Sequence, residues 1–587
     1  MSARLRLVVF TAGPLSPTNR VFFEGLARDP LLELRAIVVD GYARPRQPLW
    51  RRLRRGMQQD GWRWLWFKAV TLAAAAANRA ALALFERTHR PVRVDTYDTL
   101  ARDTGVAVHR VADIHGEESL ALLRSLRPEL GVIVGGRILR DTVISIPEYG
   151  TLNIHKRKVP DYRGGGPVGY WEVLAGESSI GVTIHYATAK VDEGDVVAEA
   201  TIPVEECDTL ASLCIKADLT GAELYHHAIR TIAGGRRQGT PQDPRQGRTY
   251  RAPSEFRVWQ LERQLRKKAA GRMPALRTRA SGLVRARVLL QYALVSPLLL
   301  WWRQRLQSQR RSPVCILFYH LVANRPLNHM CLPLEEFVGQ MDFLRRYHPV
   351  LSLAQVAGRL GGNESDEVAV AVTFDDGYRD NVWAIEYLRY FGIPACFFVS
   401  IAHVLDGSAF EHDRRRGFDS ALPLTPADLQ KLAADGFEVG SHGLHHEDFG
   451  TLDAAAAERV LSESRRLIGE VTGSLPDHFS FPKGQPGTNI TAASFSAALR
   501  HYRNLYSAYG GYNVPGRPGG PHLLRVGNPI GLLDLAAILD GYTGLRQCLL
   551  GNAWGLKTSA LAPCAPATET GTGAAAHAGE LLLRSGR

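Results

Sequence analysis

The sequence predicts an α/β protein with two domains, and three observations lead to this prediction. Apolar strand patterns alternate with helical patterns from Leu5 to about Pro253, and the alternation starts again after a stretch rich in lysine and arginine. At 587 residues the chain is too long for one hydrophobic core. We therefore expect domains at 1–255 and 312–545, joined by a polybasic apolar linker at 256–311.

The elements of the first domain follow from short apolar runs that alternate with amphipathic stretches. In order these are the strand LRLVVFTAG, the helix TNRVFFEGLARD, the strand LELRAIVVD, the strand VAVHRVADI, the helix GEESLALLRSLRP, and the strands LGVIVGGRIL, SIGVTIHYATA and GDVVAEATIPV. Strand–helix alternation predicts a parallel, doubly wound sheet, which is a Rossmann-like arrangement. No G-x-G-x-x-G follows the first strand, so a dinucleotide site is not indicated.

The second domain repeats the alternation. Its predicted elements are the strand CILFYH, the helix EEFVGQMDFLRRY, the strand and loop EVAVAVTFDDGYRD, the helix NVWAIEYLRYFG, the strand ACFFVSI, a helix near 425–435, the segment FEVGSHGLHHEDF and a helix near 452–472. Polar residues stand where the apolar strands end, which is where α/β folds place their sites. The final segment, 546–587, is a low-complexity tail.

The formal charge of +13 is concentrated in two segments. A basic apolar insertion at about 44–94 and the linker both combine arginine with tryptophan and leucine, and neither has the roughly 20 apolar residues that span a bilayer. Helices on the inner, anionic face of the membrane would explain this composition; an insertion packed on its own domain, with a solvated linker, is the alternative. Because the basicity is local, we expect no nucleic-acid partner.

Seven scattered cysteines and the lack of a signal-peptide pattern predict a cytoplasmic protein.

Among the polar residues of the first domain, Asn153 and His155 stand two apart in TLNIHKRKVPDYRGGG. An extended strand projects such a pair onto one face. An imidazolium and a carboxamide can stabilise a tetrahedral oxyanion, and a carboxylate such as Asp192, with His185 nearby in sequence, can tune the histidine and move a proton. The three glycines would let backbone approach a bound molecule.

The stretch that carries these residues, with GGRIL, TLNIHKRKVPDYRGGGPVGYWEVLAGE, GVTIHYATAKVDEGDVV and TIPV, resembles the formyltetrahydrofolate-dependent formyltransferases. The resemblance implies that Asn153, His155 and Asp192 are catalytic and that 10-formyltetrahydrofolate is the cofactor. It also implies that the AKVD loop and four consecutive residues line the pterin pocket: Gly136, Arg137, Ile138 and Leu139. HKRKVPDYRGGG replaces the Pro-Ser-Leu-Leu-Pro common in relatives, which leaves the acceptor open.

In the second domain, TFDDGY ends a strand with Asp375 and Asp376, and GSHGLHH supplies His442 and His446. The two histidines, four residues apart, would share a face if the segment were helical. One carboxylate and two imidazoles leave open positions on a divalent ion such as zinc, where water can be activated. Asp375 could accept the proton of that water.

This half resembles the polysaccharide deacetylases of carbohydrate esterase family 4, the NodB-homology domain, through TFDDGY, the His-x-x-x-His pair and FSFPKG. The resemblance implies a distorted (β/α) barrel, with Asp375 as the base and a metal held by Asp376, His442 and His446. His522, in GPHLLRVGNP, is the candidate general acid. FSFPKG lacks the arginine that many members carry before the third-motif proline.

We therefore expect a bifunctional enzyme that deacetylates an amino sugar and formylates an amine, in cell-surface polysaccharide or glycolipid synthesis. Its amino-sugar substrate would be nucleotide-linked, lipid-linked or polymeric. Two alternatives stay open. One is a methionyl-tRNA-type formyltransferase fused to a deformylase or deacetylase, and the other is a non-catalytic adaptor that binds glycans at the membrane surface.

Overall fold

A computed structural model of the chain describes residues 4–42, 48–237, 239–243, 245–273, 282–362, 365–485, 487–508, 510–515, 522–527, 529 and 531–542. The predicted tail at 546–587 lies outside these residues, as do 43–47 of the basic insertion and 274–281 of the linker.

The first half contains a seven-stranded sheet in the order β3-β2-β1-β4-β5-β7-β8. Strands β3, β2, β1, β4 and β5 run parallel to one another, whereas β7 runs antiparallel to β5 and β8 runs antiparallel to β7. The doubly wound prediction is confirmed. The elements are β1 (Leu5–Ala12), α1 (Pro17–Arg28), β2 (Leu32–Asp40), α2 (Leu49–Asp60), α3 (Trp62–Phe85), α4 (Tyr97–Thr104), β3 (Val108–Val111), α5 (Glu117–Leu126), β4 (Leu130–Val134), α6 (Asp141–Ile144), β5 (Thr151–His155), β6 (Tyr162–Gly164), α7 (Tyr170–Ala175), β7 (Ser179–Tyr186), β8 (Val196–Pro203), α8 (Leu210–Ala233) and β9 (Arg248–Tyr250).

The second half is a closed barrel of seven parallel strands, β10 to β16 in sequence order, so the barrel prediction is also confirmed. Its strands are almost wholly buried because helices cover their outer faces. The elements are β10 (Val314–Tyr319), α11 (Leu334–Tyr347), α12 (Leu353–Gly361), β11 (Ala369–Phe374), α13 (Val382–Phe391), β12 (Ala395–Val399), α14 (Ile401–Asp406), α15 (Glu411–Arg414), α16 (Pro426–Ala434), β13 (Glu438–Ser441), α17 (Ala454–Thr472), β14 (His478–Ser480), α18 (Ala492–His501), β15 (Asn504–Ser507), β16 (His522–Gly527) and α19 (Gly531–Leu539).

The predicted insertion and linker are helical where the structure describes them. The linker forms α9 (Glu255–Arg272) and α10 (Gly282–Ser308). Helix α3 packs on α9 through Phe67 and Phe256, whose ring centroids lie 5.6 Å apart. The far end of α3 reaches the barrel, where Phe85 lies 5.1 Å from the ring of Tyr347. The insertion thus contacts both the linker and the barrel.

Candidate active sites

The first site is built on β5, whose extended backbone places Asn153 and His155 on the same face of the sheet. The neighbouring strand β7 sets His185 directly opposite Asn153. The amide nitrogen Nδ2 of Asn153 lies 3.2 Å from Nε2 of His185. Since Nδ1 of His185 donates to the carbonyl of Tyr186 at 2.9 Å, Nε2 is left to accept from Asn153.

The third predicted residue, Asp192, lies in the turn between β7 and β8 with a left-handed backbone, φ 57°. Its carboxylate oxygens lie 3.5 Å from Nδ1 of His155 and 3.5 Å from Nε2 of His185, and the backbone N–H of Gly164 donates to it at 2.9 Å. The structure therefore brings Asn153, His155 and Asp192 together. It also places His185 in this group, although the sequence shows only that His185 lies near Asp192 in the chain.

The electrostatics of this group favour a neutral imidazole beside an ionised carboxylate. Burial lowers the pKa of His155 more than Asp192 raises it. Burial also acts to raise the pKa of Asp192, but its polar contacts with His185, His155 and the N–H of Gly164 together outweigh burial, so that this pKa is lowered. Because Nε2 of His155 donates to the carbonyl of Tyr162 at 2.9 Å, its Nδ1 is the atom free to take up a proton beside Asp192.

The residues predicted to line the pterin pocket follow β4 and differ in exposure. Gly136 has φ 119°, a conformation that favours glycine. The Arg137 guanidinium donates to Asp40 at 2.6 Å and stacks 4.1 Å above the Tyr42 ring, whereas Ile138 is 70% exposed. Leu139 is buried in an apolar cluster with Val8, Phe10 and Val143, so its side chain belongs to the core, and only its backbone is available to a ligand.

The three glycines have a structural reason that the sequence did not show. Strand β6 pairs with β9, and a Cβ on Gly164 would lie 2.3 Å from the carbonyl oxygen of Tyr250. A Cβ on Gly165 would lie 3.2 Å from Ala252, and one on Gly166 would lie 2.7 Å from the Arg157 side chain. The glycines therefore permit close packing of the chain on itself, rather than the approach of a ligand.

The second site lies at the carboxyl ends of the barrel strands. Asp375 and Asp376 follow β11 directly, and His442 follows β13. Oδ1 of Asp376 lies 3.6 Å from Nε2 of His442 and 3.4 Å from Nε2 of His446, and one ligand atom from each residue falls within 4.8 Å of the others. The segment that joins the two histidines is a loop, not a helix, and His446 has φ 62°.

These three residues fit a divalent ion such as zinc. Nδ1 of His442 donates to the carbonyl of Ser480 at 2.7 Å, which leaves the lone pair of Nε2 directed towards Asp376. Oδ1 of Asp376 is buried without a hydrogen-bond partner among the described residues. Burial lowers the pKa of His442 to about 3 and that of His446 to about 4, so both imidazoles are neutral, as metal ligands must be.

Asp375 is held by Arg525 of β16, which sequence reasoning missed. The guanidinium donates to both carboxylate oxygens, at 2.7 and 2.8 Å, and also to Thr373 at 3.0 Å. Arg525 is fully buried between the rings of Phe318 and Phe398, at 5.0 and 5.1 Å. Burial would raise the pKa of Asp375, but the charge and hydrogen bonds of Arg525, together with the nearby histidines His442 and His320, outweigh burial and lower this pKa to about 2.

His522 does not lie at this site, so its prediction as the general acid is wrong. It begins β16, whereas the site lies at the carboxyl ends of the strands, and its ring packs 5.4 Å from that of Phe495. Two other histidines are placed better. His320 follows β10 at the carboxyl end, and because Tyr319 pairs with Phe374, His320 stands level with Asp375 on the neighbouring strand.

The second of these, His412, has its Nε2 3.9 Å from Oδ2 of Asp376 and 2.9 Å from the hydroxyl of Tyr378. That hydroxyl donates to Asp413 at 2.7 Å, so a buried hydrogen-bonded chain ends beside the carboxylate of the candidate metal site. Neither histidine stands in a motif; the pairing of β10 with β11 places His320, and the short helix α15 after β12 carries His412.

Comparison with known proteins assigns the two halves. Residues 71–229 match the family model described as Formyl transferase, and residues 362–501 match the one described as Polysaccharide deacetylase. The chain joins a formyl transferase region to a polysaccharide deacetylase region. Each region contains one of the two residue groups described above, at 153–192 and 375–446.

The formyl transferase region is similar to the methionyl-tRNA formyltransferase of Geobacillus sp., at 32% identity over 159 residues, which is 27% of this chain and 48% of the relative. The chain spans about half the length of the curated relatives it matches. Among solved structures, glycinamide ribonucleotide transformylase 1 from Symbiobacterium toebii has 21% identity and a TM-score of 0.28, covering 41% of this chain and 95% of that one. The Streptococcus pyogenes deacetylase PplD has 18% identity and a TM-score of 0.31, covering 37% and 93%.

Proposed function

We propose that the chain is a bifunctional amino-sugar enzyme that hydrolyses an N-acyl group in its barrel and transfers a formyl group to an amine in its doubly wound domain. The observation that carries this proposal is the presence of two complete and separate side-chain groups. One pairs two imidazoles with a carboxylate and an amide, and the other pairs a three-residue ligand set with a base.

In the hydrolase, Asp376, His442 and His446 would hold the ion. A divalent ion bound there would acidify water and polarise an amide carbonyl. Asp375 is the base that takes up the proton of the attacking water, since Arg525 keeps its carboxylate ionised and fixed in direction. We assign the general acid to His320, which would give a proton to the departing amine from the carboxyl end of β10.

In the transferase, 10-formyltetrahydrofolate would supply the activated formyl group. The Asn153 amide and the His155 imidazole face the side of β5 where negative charge on the formyl oxygen would develop. Asp192 accepts the proton that the attacking amine releases, and its carboxylate lies 3.5 Å from Nδ1 of His155, the ring nitrogen that can take up a proton. We place the pterin near Gly136 and Ile138, at the end of β4.

The two reactions suit one nitrogen, because hydrolysis uncovers the amine that formyl transfer needs. We propose deacetylation followed by formylation of an amino sugar in cell-surface polysaccharide or glycolipid synthesis, while formylation followed by deformylation is the reverse order. Formylation of methionyl-tRNA is the second candidate, since the curated relatives carry that name. It predicts acceptance of a charged tRNA, and binding that weakens steeply with salt.

We also propose contact with the inner, anionic face of the membrane. Among the described residues, no helix is both long and apolar enough to cross a bilayer. A groove of about 480 Å³ between α3 and α9 is nevertheless lined by aromatic and basic side chains and two glutamines, and by no carboxylate. On its rim Trp62 is 69% exposed and Trp66 is 51% exposed. Tryptophan with arginine and lysine favours anionic lipid surfaces.

The test is to incubate the metal-loaded full chain with nucleotide-linked and lipid-linked N-acetyl amino sugars, with and without 10-formyltetrahydrofolate. Mass spectrometry should find the free amine without the folate and the N-formyl sugar with it. If no N-acetyl sugar is hydrolysed and only charged initiator tRNA is formylated, the proposed amino-sugar function is wrong.

A further inference from the structure

The loop that carries His320 is bounded on one side by the barrel and on the other by the transferase half. On the barrel side, Asn381 donates to the carbonyl of His320 at 2.8 Å and accepts from the N–H of Val322 at 2.7 Å. On the other side, the N–H of Cys207, which precedes α8, donates to the carbonyl of Asn324 at 2.9 Å. The loop is thus fixed from both halves of the chain.

The centre of the second contact is Asp208, a carboxylate of the transferase half that is only 4% exposed. It accepts from Nδ2 of Asn324 at 2.7 Å, from Oγ of Ser212 at 2.8 Å and from Nζ of Lys216 at 2.9 Å. Lys216 is fully buried and pairs with Glu205 as well, at 2.7 Å. Buried charges are retained where they are paired, so this network fixes the position of Asp208.

The same hydrogen bonds continue into the barrel. Oδ1 of Asn324 accepts from the N–H of Leu334, the first residue of α11, at 3.0 Å. Asn324 therefore uses its backbone carbonyl, its side-chain nitrogen Nδ2 and its side-chain oxygen Oδ1. Through these three atoms it joins the transferase half to the His320 loop and to the first barrel helix. It is 2% exposed, so water does not replace these bonds.

Apolar packing at this junction includes the wall of the deacetylase site. One buried cluster contains Cys207 of the transferase half, Ala269 of α9 and Met273, which follows α9. Residues of the His320 loop belong to this cluster as well. Tyr378 and Phe410 belong to the same cluster. The hydroxyl of Tyr378 holds His412 and Asp413 beside the candidate metal site. The wall of the deacetylase site therefore packs on side chains from outside the barrel.

We propose that the transferase half is a structural part of the deacetylase site and that Asp208 is a positioning residue for amide hydrolysis, acting through Asn324 on the His320 loop. This inference rests on the proposed function of the barrel. It implies that the two activities belong to one chain for a structural reason: the hydrolase geometry needs the domain that carries out the second reaction.

The test compares Asn324→Ala and Asp208→Ala in the full chain with Glu223→Gln, a control that alters a more exposed contact between the halves, the Glu223–Arg389 ion pair. We expect the first two variants to lower kcat for hydrolysis of an N-acetyl sugar by roughly 10- to 100-fold, the scale of small misplacements in active sites. We expect KM, metal content and formyl transfer to stay within about 3-fold of wild type, and the double variant to lose no more than the worse single variant.

Amide hydrogen exchange of residues 320–332 gives a readout that does not depend on activity. We expect faster exchange there in Asn324→Ala and wild-type exchange in the control. Unchanged exchange, or unchanged kcat in a folded variant, would overturn the inference. So would equal losses of both activities, which would indicate general destabilisation. If the wild type binds metal but hydrolyses no N-acetyl sugar, the proposed function fails, whereas the exchange result still decides on the positioning contact. If Asp208→Ala does not fold, Asn324→Ala, which leaves no buried charge unpaired, is sufficient.

Discussion

Replacement of Arg525 by methionine should destabilise the barrel strongly at neutral pH. The substitution keeps the length and apolar stem of the side chain, but it removes both hydrogen bonds to the Asp375 carboxylate, at 2.7 and 2.8 Å. Both partners are buried, and removing one member of a buried pair costs about 3–5 kcal/mol because the other charge is left uncompensated. The matched control is Arg503→Met, since Arg503 is 81% exposed and lies 3.6 Å from Asp477. An exposed pair of this kind contributes about 0–1 kcal/mol.

The pH dependence of this effect has a definite sign. In the wild type the pKa of Asp375 is lowered to about 2, so the pair stabilises the fold above the carboxyl's ordinary pKa, and this contribution is lost as the pH falls from about 4 to about 2. Without Arg525, burial raises the pKa of Asp375, and the carboxyl protonates at mildly acidic pH. The difference in stability between variant and wild type should therefore be largest at pH 7 and should shrink as the pH is lowered.

Scanning calorimetry of the metal-free proteins between about pH 7 and pH 5 measures this difference, with the transition of the first half as an internal reference. We expect the barrel of Arg525→Met to unfold at a lower temperature than that of the wild type. The unfolding temperature of Arg503→Met should be unchanged. A variant within about 1 kcal/mol of wild type at pH 7, or a difference that grows towards acid, would refute the reasoning.

The remaining predictions concern the two centres and the surface. His442→Ala should abolish metal binding, measured by metal analysis, and N-deacetylation, whereas His445→Ala, a neighbouring exposed position, should retain both. Asp192→Asn should slow formyl transfer by about 10²- to 10⁴-fold, measured with a formyl-folate assay, and leave deacetylation by the same preparation unchanged. Metal content should persist in mild acid and fall as the pH drops towards 4, since both imidazole ligands have lowered pKa values; loss already at pH 6 would contradict this. Sedimentation with anionic vesicles should be weaker for Trp66→Ala and at high salt, and equal binding to neutral vesicles would argue against the membrane contact.

Local patterns predicted most of the fold. The apolar runs that became β1, β10 and β11 are buried along nearly their whole length, so sequence alone marks them as strands. The geometry of Asn153 and His155 also follows from local physics, because an extended strand must place residues i and i+2 on one face.

Long-range pairing explains what the sequence could not show. Arg525 is separated from Asp375 by 150 residues, and only the pairing of β10 with β16, which closes the barrel, brings them together. His522 precedes Arg525 by three residues and lies at the beginning of the same strand. A sequence motif does not show which end of a strand faces the site, so it could not separate these two residues. The two histidine ligands converge through a loop with φ 62° at His446, not through helical spacing.

The contact between the two halves of the chain is another feature that the sequence does not indicate. Asp208, which precedes α8, and Lys216 of α8 are charged residues that would be expected at the surface, yet both are buried. Asp208 is buried against Asn324, which lies 116 residues further along the chain, and no local pattern indicates this contact.

The most direct test of the account is product analysis after the full chain is incubated with an N-acetyl amino sugar and 10-formyltetrahydrofolate, for the wild type, His442→Ala and Asp192→Asn. The account predicts an N-formyl sugar from the wild type, unreacted N-acetyl sugar from His442→Ala, and free amine from Asp192→Asn. Formation of the N-formyl sugar by either variant at the wild-type rate would contradict the existence of two separate centres.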